Sequence, residues 1–176
     1  MSKVVLGWIV VGVGLAVAGV LARAPLIAPI YIVGSVVAAM LTLRAWIDRV
    51  PIRSLVLLHA IRLPIGAAFL WEYAHERLPA SFALKGGVGD MIVGALALVP
   101  FASRRAVLAF SLVGLADIVM VALTAQYLVL VVHDPQMLAG FGMWQYALLP
   151  FVIVPLVIAS HLAAIKRCID NNLAPV

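Results

Sequence analysis

Residues 106–132 read AVLAFSLVGLADIVMVALTAQYLVLVV, a run in which Asp117 is the only charged residue. A helix of this length rises about 40 Å, more than the roughly 30 Å thickness of the hydrocarbon core of a bilayer. The apolar residues are continuous and do not alternate with polar ones, which favours a helix over a strand whose edge would leave backbone groups unpaired in lipid. We therefore predict a membrane-spanning helix here.

Five further apolar runs give six predicted spans in all. The breaks between them contain proline, charged residues or both, which end helices and mark loops. The spans are placed at 4–22, 26–47, 54–74, 87–103, 106–132 and 144–165. The sequence therefore predicts an all-α polytopic membrane protein, with residues 1–176 forming one transmembrane helical bundle.

The composition excludes several other classes of protein. The 176 residues are 66% hydrophobic and 11% charged, whereas a soluble domain is about half apolar and about a quarter charged. Too few polar side chains are present to cover a water-facing surface, so a soluble globular enzyme is excluded. The high hydrophobicity excludes a disordered chain, and the single cysteine, Cys168, excludes a disulfide scaffold.

The basic residues predict the orientation in the membrane. The net charge is +5, but the Lys and Arg residues punctuate the apolar runs, so the lipid bilayer is the expected partner and nucleic acid is not. Because cytoplasmic loops are enriched in Lys and Arg, we predict that both termini are cytoplasmic, in the inner membrane of a bacterium. This orientation puts eight basic residues inside, three outside and one, Arg62, within a span. The eight are Lys3, Arg44, Arg49, Arg53, Arg104, Arg105, Lys166 and Arg167, and the three are Arg23, Arg77 and Lys85.

Five ionisable residues of the predicted spans are the candidates for a site inside the bundle: His59, Arg62, Asp90, Asp117 and His161. A charge near the bilayer centre costs roughly 3 kcal/mol on insertion scales, so such residues usually face the bundle interior and have a partner. Arg62 and Asp117 are expected within about 5 Å of each other in depth, which predicts a midplane ion pair. Asp90 is expected nearer the outer face, at the start of the fourth helix, and the histidines nearer the inner face.

This arrangement favours proton-coupled or charge-selective transport or binding of a small solute. Asp90 would be an outer gate carboxylate, Asp117 and Arg62 a switchable pair, and His59 and His161 the inner proton acceptors. In the structural alternative, the ion pair only fixes the register of two helices. Six short helices offer little room for alternating access, so we predict a homodimer formed through the small-residue face of the first or fourth helix.

Two other classes of function stay open. His59 and His161 are expected at nearly the same depth on different helices, which suits two imidazoles that hold the iron of a b-type haem for electron transfer. The other class is a membrane-embedded enzyme for a lipophilic substrate, with Asp117 or Asp90 as general acid. Apart from haem, no metal site is predicted. Glu72 and His75 share a helical face and could both bind a metal, but a di-iron site needs further carboxylates, which the sequence does not provide.

Residues 78–90, LPASFALKGGVGD, form the most distinctive segment of the chain. Together with Arg62, Asp117 and the proline-rich run that ends in His161, it resembles a group of small bacterial multi-pass membrane proteins. The shared elements are Leu-Pro-x-x-Phe-Ala, Gly-x-Gly-Asp, an arginine in a middle helix and an aspartate in the next helix. The resemblance covers about the last two thirds of the chain. It implies no established activity and supports only the choice of residues.

Overall fold

The computed structural model of the chain describes residues 3–42 and 49–170. A single helical turn, Val20–Arg23, precedes the second long helix, and a short helix, Pro135–Gly142, precedes the last one. No strand occurs in the described ranges, so the predicted all-α class is confirmed. The long helices are α1 Lys3–Val17, α2 Ile27–Thr42, α3 Ile52–Ala74, α4 Ala80–Leu98, α5 Arg104–Val132 and α6 Trp144–Ile169.

Helices α3 to α6 are long and apolar enough to cross a membrane, whereas α1 and α2 are apolar but shorter, at 15 and 16 residues. The outside of the bundle is apolar: Ile30 is 72% exposed and Leu41 is 76% exposed. The interior is also mostly apolar, but it contains charged and polar side chains as well, since Arg62 and His161 are at most 1% exposed. An apolar exterior around buried ionisable groups is typical of a membrane protein.

Helix α4 differs most from its prediction, because it occupies Ala80–Leu98 instead of 87–103. Pro79 directly precedes its first residue. Proline is tolerated there, because a backbone N–H at this position would have no hydrogen-bond partner within the helix. Pro100 disfavours the helical conformation at Val99, which is extended, so the helix ends five residues early. Asp90 therefore lies near the middle of α4 and not at its start.

Helices α3 and α4 cross closely because glycines lie at their contact. A Cβ atom on Gly66 would lie 2.9 Å from the backbone nitrogen of Met91. A Cβ atom on Gly94 would lie 2.6 Å from the backbone nitrogen of Leu63. No side chain fits at either position without moving backbone, so the two glycines set the distance between the helices.

Prolines make α3 and α6 irregular near the buried polar residues. Pro64 lacks an N–H and crowds the carbonyl group of residue 60, and α3 tightens into a 3-10 turn over Leu58–Ile61, which contains His59. In α6, Pro150 and Pro155 accompany a π turn over Leu149–Ile153.

Helix α6 connects the parts of the bundle. It packs against α2, α5 and the first half of α3, and α1 packs on its first ten residues, 144–153. Helix α4 packs against α3 and α5. The ionisable residues of α3, α4, α5 and α6 consequently face one shared interior.

Arginine side chains cap the C-terminal ends of two helices at one end of the bundle. Arg53 donates hydrogen bonds at 2.8–3.0 Å to the carbonyl oxygens of Ala97 and Leu98, at the end of α4, and of Val99, the residue that follows. Arg104 donates to the carbonyl oxygen of Ile169, the last residue of α6, at 3.1 Å. The single thiol, Cys168, is buried against the carbonyl oxygen of Arg104. Cationic donors stabilise the terminal carbonyls of a helix and the negative end of its dipole.

Replacing Arg53 by alanine is expected to lower the free energy of unfolding by about 1–2 kcal/mol, because the last carbonyls of α4 lose a charged donor. Equilibrium unfolding in mixed micelles containing dodecyl sulfate measures the change. Arg105→Ala is the matched control, since Arg105 is an exposed arginine at the same end of the bundle. An equal loss in both variants would mean that net charge, and not capping, is responsible.

Candidate functional site

Arg62 lies at the centre of a buried polar cluster, here called the triad, formed with Asp90 and Asp117. Its Nε donates to Asp90 Oδ1 at 2.5 Å, and its Nη2 donates to Asp117 Oδ2. Its Nη1 donates to the carbonyl oxygen of Gly114 at 3.3 Å. The side chains of Arg62, Asp90 and Asp117 are 1%, 4% and 14% exposed. One guanidinium group thus binds one oxygen of each carboxylate, away from water.

The ion pair predicted between Arg62 and Asp117 is present, but Asp90 belongs to the same cluster and does not lie apart near the outer face. The reason is the position of α4, which ends at Leu98. Asp90 is therefore about 12 Å from that end of the helix, while Arg62 is about 15 Å from the adjacent start of α3. The predicted depth of Asp90, as a separate outer carboxylate, is wrong.

The Gly-x-Gly-Asp segment makes the triad sterically feasible. A Cβ atom on Gly89 would lie 3.0 Å from Asp117 Cγ, so the missing side chain leaves room for the Asp117 carboxylate. A Cβ atom on Gly87 would lie 2.8 Å from Leu70 Cγ, so this glycine admits α3. Asp90 follows directly and reaches Arg62. The segment therefore leaves space for α3 on one side and for the Asp117 carboxylate on the other, and it contributes the carboxylate of Asp90.

The two predicted histidines form a second buried cluster beside the triad. The rings of His59 and His161 stack, with centroids 3.7 Å apart and planes inclined by 20°. His59 Nε2 is 3.1 Å from Ser160 Oγ, and that hydroxyl donates to the carbonyl oxygen of Val157 at 2.8 Å. Because a hydroxyl has one proton to donate, Ser160 accepts from His59, and His59 carries its proton on Nε2.

The second buried cluster, formed by His59, His161 and the nearby serines and here called the inner cluster, has several polar atoms with no hydrogen-bond partner among the described residues. They are His59 Nδ1, Ser111 Oγ and both ring nitrogens of His161. Gly114 connects the inner cluster to the triad, since its carbonyl oxygen accepts from Arg62 and a Cβ atom on it would lie 2.6 Å from His161 Nε2. Buried polar groups in proteins are normally paired, often by internal water. Polar groups therefore continue from the carboxylates of α4 and α5 to the histidines of α3 and α6.

This histidine geometry does not fit the haem alternative. Axial imidazoles approach a haem iron from opposite faces, with the porphyrin between them. The rings of His59 and His161 are instead in face-to-face contact, and His59 Nε2 is bonded to Ser160. No space for a macrocycle exists between the rings, so these two residues are not placed as a haem ligand pair.

Glu72 and His75, which were weighed as metal ligands, have other partners, and so does Asp134, which follows α5. Glu72 forms an ion pair with Arg77, and this hydrogen bond raises the pKa of Arg77. Asp134 accepts from the backbone nitrogen of Met137 at 2.9 Å and caps the short helix. His75 Nδ1 lies 2.8 Å from a carbonyl oxygen of its own helix. Within residues 3–42 and 49–170, no group of three or more His, Cys, Asp or Glu side chains is placed to hold a metal ion.

A cavity of about 250 Å³ adjoins the triad. Arg62 and Asp90 line it, and nearly all its other walls are apolar side chains of helices α2 to α6 and of the short helix. Val33 of α2 and Leu123 of α5 also line it, although they are 62% and 64% exposed on the outside of the bundle. The cavity therefore opens sideways, between α2 and α5, toward the surface that would contact lipid.

Sequence reasoning missed the cavity, Gly114 and the hydrogen-bonding role of Ser160. Gln126 is the one signal that was available, because it is an amide within the long apolar run of α5. It lines the cavity, and its buried Oε1 has no partner among the described residues. A polar side chain inside a span usually faces the interior of the bundle.

Comparison with known proteins places the chain in a family. No curated protein and no solved structure matches it. The family described as Domain of unknown function (DUF8737) matches residues 19–169, a region that contains the triad and the histidine pair. Since the match covers most of the sequence, the chain belongs to the DUF8737 family.

Proposed function

We propose that this protein binds or transports a small solute in a proton-coupled or charge-selective manner at the triad. The observation that carries the proposal is the charge of that cluster. Arg62 contributes +1, and Asp90 and Asp117 each contribute −1, so the triad with both carboxylates ionised has a formal charge of −1. It is buried inside a bundle whose exterior is apolar.

An uncompensated charge in such an interior is costly, and proteins reduce the cost by binding a proton or an opposite charge. The neighbouring groups do not provide a compensating positive charge in contact with the carboxylates. Gly114 contributes only a carbonyl oxygen, and His161 of α6 lies on the far side of Gly114. One proton or one cationic group would neutralise the triad, but both together would reverse its charge. Two ligands that exclude each other at one site are thermodynamically coupled.

The topology we propose has six spans, with both termini in the cytoplasm of a bacterial inner membrane. Arg53 and Arg104, two residues of the predicted cytoplasmic side, bind helix ends at the same end of the bundle, which supports this orientation. Helix α2 rises about 24 Å over its 16 residues. The rest of its predicted span, with Arg44, lies outside the described residues.

The predicted homodimer is proposed to form through α1. Helix α4, the other expected contact, uses its glycines against α3 and α5 within the same chain. On α1, Gly7 and Gly14 are exposed and have no atom within 4 Å of a built Cβ position. Small residues two turns apart allow two helices to approach closely in a bilayer.

Proton uptake by the triad is the direct test. We expect pH-difference infrared spectra of the protein in nanodiscs to contain the carbonyl stretch of a protonated, buried carboxyl group. Asp90→Asn and Asp117→Asn each bring the formal charge of the triad to zero and should remove this band. Asp170→Asn is the control, because that carboxylate is water-accessible and paired with Lys166. A band that persists in both triad variants would exclude the triad as the proton site.

A further inference from the structure

The cavity beside the triad differs in chemistry from a site for a hydrophilic solute. Sugars, amino acids and inorganic ions need several polar partners, but this cavity offers Arg62 and Asp90 at one place and Gln126 and Tyr146 farther along. Its remaining lining is almost entirely aliphatic or aromatic. A ligand that satisfies this site has an apolar body and one polar or charged group.

The opening of the cavity points to the route of entry. Val33, Val119 and Leu123 line the cavity and are exposed on the bundle surface, by 62%, 41% and 64%. They belong to α2 and α5, which both pack against α6 and flank the opening. In a bilayer these side chains face acyl chains, so a molecule dissolved in the membrane reaches the cavity without crossing water.

The charge of the triad selects the head group. An anion would face a cluster that already has a formal charge of −1 when both carboxylates are ionised. A monocation near Asp90 would bring the total to zero without displacing Arg62, whose hydrogen bonds engage one oxygen of each carboxylate. Burial strengthens this discrimination, because the interaction between charges is larger away from water.

We propose that the solute is an amphipathic monocation, an apolar body with one cationic group, that enters sideways from the bilayer and places its charge at Asp90, the triad carboxylate that lines the cavity. This inference rests on the proposed function and names the chemical class of its solute. Binding of the cation displaces the proton of the triad, so one proton is released for each cation bound.

Octyltrimethylammonium is a suitable probe, because its charge does not change with pH. Binding of the tritiated compound to the full chain in nanodiscs is measured by scintillation proximity, with empty nanodiscs as background. Octanol and octyl sulfate, which have the same chain but a neutral and an anionic head, serve as competitors. We expect the cation to compete at least about tenfold more strongly than either of them. Lowering the pH should weaken its binding.

Two pairs of variants locate the site. Ala122→Phe fills the cavity, whereas Ala116→Phe adds the same side chain to an exposed position of α5 outside the cavity. Leu123→Trp narrows the opening, whereas Val113→Trp changes a position that is 62% exposed and outside the cavity. We expect about tenfold weaker binding in the first member of each pair and unchanged binding in the second. Leu123→Trp tests the proposal even if Ala122→Phe fails to fold.

Equal competition by all three head groups, or equal binding in both members of each folded pair, would overturn the inference. The infrared measurement separates this failure from failure of the proposed function. If the carboxyl band responds to Asp90→Asn but the cation does not bind, the solute class is wrong and the proton site stands. If the cation binds and no carboxyl band exists, the proton coupling is wrong.

Discussion

Replacing Arg62 by methionine is expected to destabilise the fold by about 3–5 kcal/mol, which lowers the ratio of folded to unfolded protein by at least about 100-fold. Among the described residues, the change removes the only cation within hydrogen-bonding distance of Asp90 and Asp117, and it leaves two largely buried carboxylates side by side. It also removes the donor to the carbonyl oxygen of Gly114. Equilibrium unfolding in mixed micelles, followed by tryptophan fluorescence, measures the loss.

The origin of this loss is tested by charge-balanced variants. Arg62→Met combined with Asp90→Asn and Asp117→Asn contains no buried charge in the triad, and we expect it to recover most of the stability. Arg62→Lys keeps the charge but cannot direct donors from three nitrogens along fixed directions, so an intermediate loss is expected. If the triple variant is as unstable as Arg62→Met, packing of the arginine side chain and not charge explains the effect.

Gly66→Ala is expected to cost about 2–3 kcal/mol, at the upper end for an overpacked site. The new Cβ atom would overlap the carbonyl oxygen of Gly87 and lie 2.9 Å from the backbone nitrogen of Met91, and backbone cannot rotate away as a side chain can. Helices α3 and α4 would have to separate. Since Arg62 lies four residues before Gly66, the separation would also weaken its hydrogen bond to Asp90. Thermal unfolding followed by size-exclusion fluorescence measures the loss.

Gly34→Ala is the matched control for this prediction. Gly34 is an exposed glycine of α2 with no atom within 4 Å of a built Cβ position. Alanine favours a helix over glycine by about 1 kcal/mol, so the control should be neutral or slightly stabilised. A loss of the same size in both variants would mean that glycine at position 66 is not required by the approach of α4.

The sequence predicted the all-α class, the long apolar helices and the ionisable residues that cluster inside the bundle. This success has a simple physical origin, because a charge such as Asp117 within 27 apolar residues leaves few stable placements. The same logic identified the partner of Asp117, since Arg62 is the only Lys or Arg within the last four predicted spans. Long apolar runs and isolated charges are local properties and can be recognised in the amino-acid sequence alone.

The position of Asp90 could not be predicted in the same way, because it depends on where α4 begins. Four residues in a row, 86–89, include three glycines, which have low helix propensity, so the predicted span began only at residue 87. In the structure they are helical because α3 and Asp117 occupy the space that side chains would need. Tertiary packing thus overrides the local preference. The stacked contact of His59 with His161 also depends on tertiary packing, and on the 3-10 turn near Pro64.

The arginines that cap the helix ends have a consequence for how the protein is made. Arg53 and Arg104 belong to the charge bias expected to orient the nascent chain during insertion, and each also holds a helix terminus in the finished bundle. In the proposed topology, orientation and folded-state stability would therefore depend on the same side chains. A mutation that weakens the insertion signal at either residue would also lower the folded-state stability of the correctly inserted protein. Inverted and misfolded molecules are then expected to accumulate together.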